Sequence, residues 1–469
     1  MTRTAGLAGR RVLVAGAGVT GRSAAEALLA LGARVTVTDA AEDRLASLAS
    51  VGAAGAELVA GLAAPPDGTD LVVTSPGWRP GSPLLAAAAA AGVEVIGEVE
   101  LAWRMSRDRD DPPTWLAVTG TNGKTTTVGM LESILRAAGL DAVACGNVGL
   151  PVVDALRAGH RVLAVELSSF QLHWSPSVRP AAGALLNIAE DHLDWHGSLD
   201  AYAAAKARVL TGDVAVAGVD DPMVATLLAA APAPRKVGLT AAEPAPGQLG
   251  VVGDHLVDRG FADGVPLAEV ADVHPAGPPG VADALAAAAL ARAHGVPPEA
   301  VAEGLRAFRP GAHRAQVVGE VDGVRYVDDS KATNPHAAAA SLRGHPRVVW
   351  VAGGLLKGAS VDELVAEVGP RLAGVVLIGA DRDLIAAALA RHAPQVPVRV
   401  VTAGDDGAMD QVVREAAAVA APGDVVLLAP AAASMDMFTD YAHRGRAFAE
   451  AVARLRAARD ASRTSTGAT

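Results

Sequence analysis

One cysteine, Cys145, stands in a chain of 469 residues, which excludes an internal disulfide framework. Aromatic residues make up only 3%. The abundance of alanine, glycine and arginine beside them reads as a compositional bias, because alanine and glycine contribute little area to a core. No window approaches eighteen uninterrupted strongly apolar residues, and alanine-rich runs such as Leu84 to Ala91 are too short to span a bilayer, so no membrane insertion is expected. The segment Met1 to Leu7 lacks the apolar core of a signal peptide, which predicts a cytoplasmic protein. Nor is there an excess of positive charge: the formal net charge of -11 excludes broad phosphate-backbone binding and hence a nucleic-acid partner. Anionic ligands must be held locally, by loops and helix ends.

What is present is a chain 51% apolar and long enough for several cores, with three domains as the working count. From Arg11 to about Met105, strand-like runs (Arg11 to Ala15, Arg34 to Thr38, Leu71 to Thr74) alternate with helical stretches (Ser23 to Leu31, Leu84 to Ala91), the pattern of βαβ units. A charged, proline-containing stretch, Ser106 to Pro113, reads as a linker. Strands at Trp115 to Thr119, Arg161 to Val165, Ala182 to Leu186 and Val214 to Ala217 follow, up to a long helix predicted over Val281 to His294. A third α/β block opens with two strands around an Asp322-Gly323 turn and continues through Arg347 to Ala352, Val375 to Gly379, Val398 to Thr402 and Val425 to Ala429. The expected division is 1–109, 110–308 and 309–459, with a disordered polar tail over 460–469.

The strongest chemical signal is Gly120-Thr121-Asn122-Gly123-Lys124-Thr125, directly after an apolar strand and directly before the helical run from Thr126. Backbone N–H groups of such a loop point at a phosphate, the lysine neutralises it, and the threonine hydroxyl reaches Mg2+. The motif is shorter than the full eight-residue P-loop, since Val118 occupies the place of its first glycine. Glu166 stands at the end of the next strand and suits a metal ligand, although an acid before Ser168 and Ser169 is also an ordinary helix start. Asn187 to Gly197 then packs Glu190, Asp191, His192, Asp194 and His196 beyond another strand, where open α/β sheets place ligand sites. Roles there are expected for Asn187, Asp191 and His192.

Lysine is scarce: Lys124, Lys206, Lys236, Lys331 and Lys357 are all there are, arginine having replaced it elsewhere. Arginine is no substitute where a compact point charge or a modifiable amine is required, so the retained lysines are functional candidates, Lys236 excepted because no motif surrounds it. Near the start, Gly16-Ala17-Gly18-Val19-Thr20-Gly21 follows a strand, opens a helix and precedes Asp39, a dinucleotide-binding fingerprint. Alone it suggests an NAD-dependent oxidoreductase. Physically it specifies only a pyrophosphate on a helix N-terminus.

Together these motifs resemble the Mur ligase family over nearly the whole chain. The specific segments are Glu166-Leu-Ser-Ser-Phe-Gln-Leu172, Asp328-Asp-Ser-Lys-Ala-Thr-Asn334 and Ala429-Pro-Ala-Ala-Ala-Ser434-Met-Asp-Met-Phe438, and they are similar to the branch that adds D-glutamate. The resemblance implies three α/β domains: an N-terminal Rossmann-like one, a central P-loop ATPase-like parallel sheet and a C-terminal Rossmann-like one. It implies an ATP-dependent, ADP-forming amide-bond ligase joining D-glutamate to the L-alanyl carboxylate of UDP-N-acetylmuramoyl-L-alanine in peptidoglycan precursor synthesis, with a monomer as the expected state. It places UDP around Gly18, Val19, Thr20, Asp39 and the Ser75-Pro76-Gly77 turn, with Asn147 touching the muramoyl substrate. ATP would lie on Gly120, Thr121, Asn122, Gly123, Lys124, Thr125 and Thr126, closed over by His313-Arg314, Asp329 and Lys331. Metal would be held by Thr125, Glu166, His192 and Lys206, the last as a carbamate. D-glutamate would meet Thr333, Lys357, Ser434 and Tyr441, a tyrosine where relatives usually carry phenylalanine.

ATP would phosphorylate the L-alanyl carboxylate and Lys124 would stabilise charge, after which the amine attacks the acyl phosphate. Asp191 and His192 are candidates to take the amine's proton, metal ligation disqualifying His192. One segment departs from the family: a Gly-x-His-Asn-x-x-Asn pattern is replaced by Gly277-Pro-Pro279-Gly280-Val-Ala-Asp283, so the side chains that would contact adenine or stabilise the loop are replaced. The rival readings are a sister ligase adding another amino acid, the oxidoreductase, and a nucleotide-sensing protein without catalysis.

Overall fold

The structure, a computed structural model, describes residues 6–402 and 407–466, the side chains of 462–466 excepted. It contains three sheets. The first joins β1 (Arg11–Ala15), β2 (Arg34–Asp39), β3 (Glu57–Ala60), β4 (Leu71–Thr74) and β5 (Glu94–Gly97), all parallel, in the order β3-β2-β1-β4-β5. The second contains β6 (Thr114–Thr119), β7 (Ala142–Gly146), β8 (Val162–Glu166), β9 (Ala182–Leu185), β10 (Val214–Gly218), β11 (Arg235–Leu239), β12 (Gln248–Val252), β13 (His255–Asp258) and β14 (Val265–Glu269). Its order is β14-β13-β12-β11-β10-β9-β6-β8-β7, parallel from β12 to β7, with β13 running antiparallel to both of its neighbours, β12 and β14. The third contains β15 (Gln316–Val321), β16 (Val324–Asp328), β17 (Val348–Gly353), β18 (Leu372–Ile378), β19 (Val398–Val400) and β20 (Val425–Leu428) in the order β15-β16-β20-β17-β18-β19. Only its β15–β16 hairpin is antiparallel.

Central strands such as β4, β8 and β17 are buried along their whole length, as parallel strands covered on both faces must be, which is why they read as unbroken apolar runs. The loops that leave their carboxyl ends carry the motifs of the sequence: Gly16 after β1, Gly120 after β6, Asn187 after β9, Asp329 after β16 and Gly354 after β17.

Part of the alanine content has a structural use. Ala284 to Ala291 lie buried on the helix Pro278–Ala293, which packs against the helix Lys124–Ala137 behind the phosphate loop. Small side chains let helix axes approach; on the following helix, Pro298–Ala307, which packs on the same partner, a Cβ at Gly304 would fall 2.3 Å from the Cα of Ile134. That long helix begins at Pro278 rather than Val281, because prolines are tolerated in a first turn, where their missing N–H is not needed.

By contact the chain forms two compact units, Met1–Ile188 with Asp200–Phe308, and Ala189–Leu199 with Arg309–Thr469. The acid- and imidazole-bearing segment Ala189–Leu199 therefore belongs with the C-terminal unit, although the nine-stranded sheet takes the chain on both sides of it. The expected disordered tail is corrected: the last helix runs Tyr441–Thr466, since Ala457, Ala458 and Arg459 propagate a helix that polar residues alone do not stop, while residues 467–469 lie outside the described residues. Among the described residues no helix is long and apolar enough to cross a membrane.

Candidate active site

In the first unit, β6 delivers Thr119 into the loop Gly120–Gly123, and the helix Lys124–Ala137 starts at its end. Gly123 is left-handed (φ +88°), and a Cβ there would fall 2.1 Å from Asp283 Oδ1, so backbone conformation and crowding both demand glycine. The loop is pinned from β9: Asn122 N–H donates to Asn187 Oδ1 (2.9 Å), Asn187 Nδ2 returns to Asn122 O (3.2 Å), and Thr121 N–H donates to Asn187 O (3.0 Å). Asn187 thus acts on the phosphate loop itself. Lys124 Nζ folds back onto the carbonyls of Gly120 (2.8 Å) and Thr121 (2.9 Å), within the space a phosphate would take. Thr125 and Thr126 occupy the first helical turn, where free N–H groups and the helix dipole favour an anion.

Lys206 is almost wholly buried, its ammonium 2.7 Å from the same Gly120 carbonyl and 4.7 Å from the centre of the Tyr202 ring. Tyr202 in turn shares a hydrogen bond with Thr121 Oγ1 (3.1 Å). Glu166, buried at the end of β8, accepts from Asn147 twice: Nδ2 reaches Oε1 (2.9 Å) and the backbone N–H reaches the main-chain oxygen (2.9 Å). Phosphate loop, Lys206, Glu166 and Asn147 thus converge from β6, β7 and β8 and from the helix Leu199–Ala207.

At the N-terminal sheet, Gly18 precedes the helix Val19–Ala30 without a side-chain cap, so Val19 and Thr20 stand in a first turn whose N–H groups are not used within the helix. Asp39 receives the N–H of Ala17 (2.9 Å) on one oxygen and that of Ala41 (3.0 Å) on the other. Burial works against its charge, but these amides and Arg44 outweigh it and hold the carboxyl below the usual aspartate value. Asp39 therefore shapes the turn as well as edging the site. Ser75 approaches so near that a Cβ on Gly16 would fall 2.3 Å from its Oγ, and that hydroxyl is buried without a hydrogen-bond partner among the described residues; Pro76 and Gly77 continue the turn outward.

In the second unit, Lys357 Nζ meets Asp191 Oδ1 at 2.8 Å, and the same oxygen accepts the N–H of His192 (2.9 Å). The His192 ring lies 3.6 Å from the other Asp191 oxygen. His313 Nδ1 bonds Asp328 Oδ2 (2.6 Å). Asp329 is pushed above the usual carboxyl range by desolvation, with Ser341, Ala315 and Arg314 opposing. Lys331 places its ammonium 3.8 Å above the Tyr441 ring. Thr333 follows in the same turn, its N–H on Lys331 O (2.9 Å), and Ser434, nearly buried, opens the turn closed by Phe438 N–H at 2.8 Å.

One residue of this unit was missed in the sequence. Arg444, buried on the last helix, donates to Ser330 Oγ (2.9 Å), Ser330 O (2.9 Å) and Ala432 O (3.1 Å). It joins the loop that carries Lys331 to the loop that carries Ser434, and desolvation lowers its pKa to about 10. Arginine is too common here to draw attention, and its place one turn beyond Tyr441 was the only signal.

A phosphate-binding loop on one α/β domain, a pyrophosphate-type turn on a second and a lysine-bearing loop cluster on a third define a nucleotide-driven ligase fold. The chain belongs to the Mur ligase family: it matches the MurD-like N-terminal domain over residues 10–97, the Mur ligase middle domain over 118–246 and the Mur ligase glutamate ligase domain over 313–432. More particularly, it is 57% identical to UDP-N-acetylmuramoylalanine--D-glutamate ligase of Nocardia farcinica, over 95% of this chain and 97% of that one. It is 56% identical to the protein of the same name from Streptomyces avermitilis, over 95% and 98%. The fold is also that of UDP-N-acetylmuramate-alanine ligase from Thermotoga maritima (TM-score 0.60, 19% identity, 95% of this chain and 99% of that one).

Proposed function

We propose that this chain is the ATP-dependent ligase that joins D-glutamate to the L-alanyl carboxylate of UDP-N-acetylmuramoyl-L-alanine, acting in the cytoplasm on a peptidoglycan precursor. The observation that carries the reading is the phosphate loop with Lys124 folded over it, beside buried Glu166 and Lys206, in a chain similar over nearly its whole length to D-glutamate ligases.

A carboxylate does not condense with an amine at neutral pH because its oxygen leaves poorly. Transfer of the γ-phosphoryl group makes that oxygen a phosphate, so the amine nitrogen attacks the carbonyl and phosphate departs with the C–O electron pair. Lys124, released from the carbonyls of Gly120 and Thr121, follows the transferring charge. Asn147, held by Glu166, positions the acceptor substrate, and the N–H groups of Val19 and Thr20 with Ser75 take the UDP end. Thr333, Lys357, Ser434 and Tyr441 receive D-glutamate, with Lys357 for a carboxylate. Asp191, beside His192, takes the proton lost by the attacking amine. Arg314, Asp329 and Lys331 line the nucleotide side of the third domain.

Mg2+ fits this donor set. Among the described residues no group of three or more His, Cys, Asp and Glu side chains converges, so a hard cation would rest on phosphate oxygens with Glu166 and the Thr125 hydroxyl, and it would supply neutralisation of phosphate charge. A carbamate on Lys206 would turn a buried cation into a further carboxylate ligand.

The test is ADP release with ATP, Mg2+ and UDP-N-acetylmuramoyl-L-alanine, offering D-glutamate, L-glutamate, L-alanine and meso-diaminopimelate separately. Turnover with D-glutamate alone is expected; turnover only with another amino acid assigns the chain to a sister reaction, and none with any of them removes the ligase reading.

A further inference from the structure

Glu98 takes no part in the chemistry above, yet it is among the most buried charged groups of the protein, 2% exposed at the start of the helix Glu98–Arg107. One oxygen, Oε1, accepts the N–H of Val153 at 2.7 Å; the other, Oε2, is buried and has no hydrogen-bond partner among the described residues. A carboxyl with half its acceptor capacity unmet is a costly way to fill space, because an aliphatic side chain of similar volume would pack there without desolvating a charge. Packing alone does not account for it.

What Glu98 holds is specific. Val153 is the second residue of the helix Val152–Ala158, which emerges directly from the turn Gly146–Pro151. That turn is closed by Gly146 N–H on Leu150 O (2.8 Å) and carries Asn147, whose other attachments are both to Glu166. The next residue of the same helix, Asp154, accepts the hydroxyl of Ser23 at 2.8 Å, and Ser23 lies on the helix that follows the Gly16–Gly21 turn. Two side chains of the first domain, Glu98 and Ser23, therefore grip two successive residues behind the turn that presents Asn147. Two further bonds from the same region fix the adjoining face: Gly97 N–H donates to Trp174 O (2.8 Å), and Glu100 accepts the Ser177 hydroxyl (2.6 Å) and N–H (3.0 Å).

We propose that Glu98 is a positioning residue for the nucleotide-sugar substrate, fixing the Gly146–Pro151 turn, and with it Asn147, in register with the UDP turn of the first domain. A substrate that spans both domains needs its pyrophosphate end and its acyl end held at one separation; misplacing one contact by about an ångström is enough to lose binding. The inference rests on the reading that Asn147 touches that substrate, and the test separates the two.

Glu98→Met keeps the volume, removes the acceptor and relieves the unpartnered oxygen; Glu98→Gln keeps an acceptor for Val153. In steady-state kinetics, E98M is expected to raise KM for UDP-N-acetylmuramoyl-L-alanine about tenfold while kcat and KM for ATP stay within about twofold, with thermal stability at or above that of the parent. E98Q is expected to stay within about threefold of the parent in all three. Asn147→Ala should raise the same KM, and the E98M/N147A double variant should be no worse than N147A, because Glu98 acts through the turn. A folded E98M with unaltered KM, beside an N147A with raised KM, overturns the role of Glu98 and leaves the ligase reading standing. Additive effects in the double variant, or KM for ATP rising in step, also overturn it. An unaltered KM in N147A removes the substrate assignment of the turn and the proposal with it.

Discussion

The ammonium of Lys357 rests 2.8 Å from Oδ1 of Asp191, so a cation on the loop after β17 is tied to the segment that carries His192. Lys357 sits in a left-handed turn (φ 55°) that aims its side chain, and Asp191 is only 8% exposed, which keeps solvent from screening the pair. With Lys357 proposed to receive D-glutamate, the substrate carboxylate would replace Asp191 as its partner, at little change in the solvation of the lysine. Lys357→Ala is therefore expected to raise KM for D-glutamate by about tenfold or more, the loss of one charge-assisted hydrogen bond, while KM for ATP stays within about twofold. Lys357→Arg should not restore it, since the planar fork does not fit a site built around a point charge. Initial rates over a D-glutamate series decide this, and an equal rise in both KM values would show a general loss of fold.

Lys124 gives a second prediction. Its amine rests on two loop carbonyls, and it is only part-buried, so its removal leaves no unpaired buried charge. Lys124→Ala should lower kcat by about a hundredfold to a thousandfold, the usual effect of deleting one electrostatic donor from a transition state. Melting temperature should hardly move. A variant that loses activity only in proportion to lost stability would contradict the role.

The α/β class and the placing of the phosphate loop were legible because apolar runs and glycine turns are local signals. The antiparallel strands β12 to β14 were not anticipated, since runs such as His255–Asp258 are too short to show a period. Nor could the sequence show that Asn187 pins the phosphate loop, that Ala189–Leu199 belongs with the C-terminal unit, or that Arg444 and Glu98 are buried. Each depends on contacts between residues far apart along the chain, and burial of an arginine or a glutamate runs against what its type predicts.

The departure at Asp283 has a measurable consequence. Its Oδ1 accepts the Thr127 hydroxyl (3.2 Å) and lies against Gly123, which places a buried carboxylate beside the phosphate loop. A negative charge there opposes an incoming triphosphate. Asp283→Asn keeps the acceptor for Thr127 and removes the charge, so KM for ATP should fall several-fold, with little dependence on ionic strength because the carboxylate is buried. An unchanged or raised KM across a salt series would show that the carboxylate contributes nothing unfavourable at the phosphates.

Arg444 predicts a stability effect of the third domain. Its guanidinium supplies donors to Ser330 and Ala432, and arginine geometry serves several acceptors at once. Arg444→Ala leaves buried acceptors unpaired and should cost about 2–4 kcal/mol. Arg444→Lys should recover only part of this, because one ammonium cannot span both loops. Urea unfolding checks it; a loss under about 0.5 kcal/mol, the level of a surface substitution, would mean the loops hold each other without the arginine.

Glu98 supplies a pH-dependence whose sign is fixed by its burial. Desolvation pushes its carboxyl up to about 7 from an ordinary 4.5, against the help of the Val153 amide and with Asp154 adding to the rise. The folded protein then binds this proton more tightly than the unfolded chain. The stability contributed by the group is fully present below about pH 4.5 and is lost as pH rises to about 7, beyond which it is constant. The size is on the order of 3 kcal/mol across that window. Glu98→Gln cannot ionise, and other titrating groups cancel in the comparison. Urea unfolding of parent and variant at pH 5, 6, 7 and 8 should show the parent losing stability relative to E98Q up to about pH 7 and running parallel above it. Curves that stay parallel throughout would place an ordinary, solvated carboxylate at Glu98.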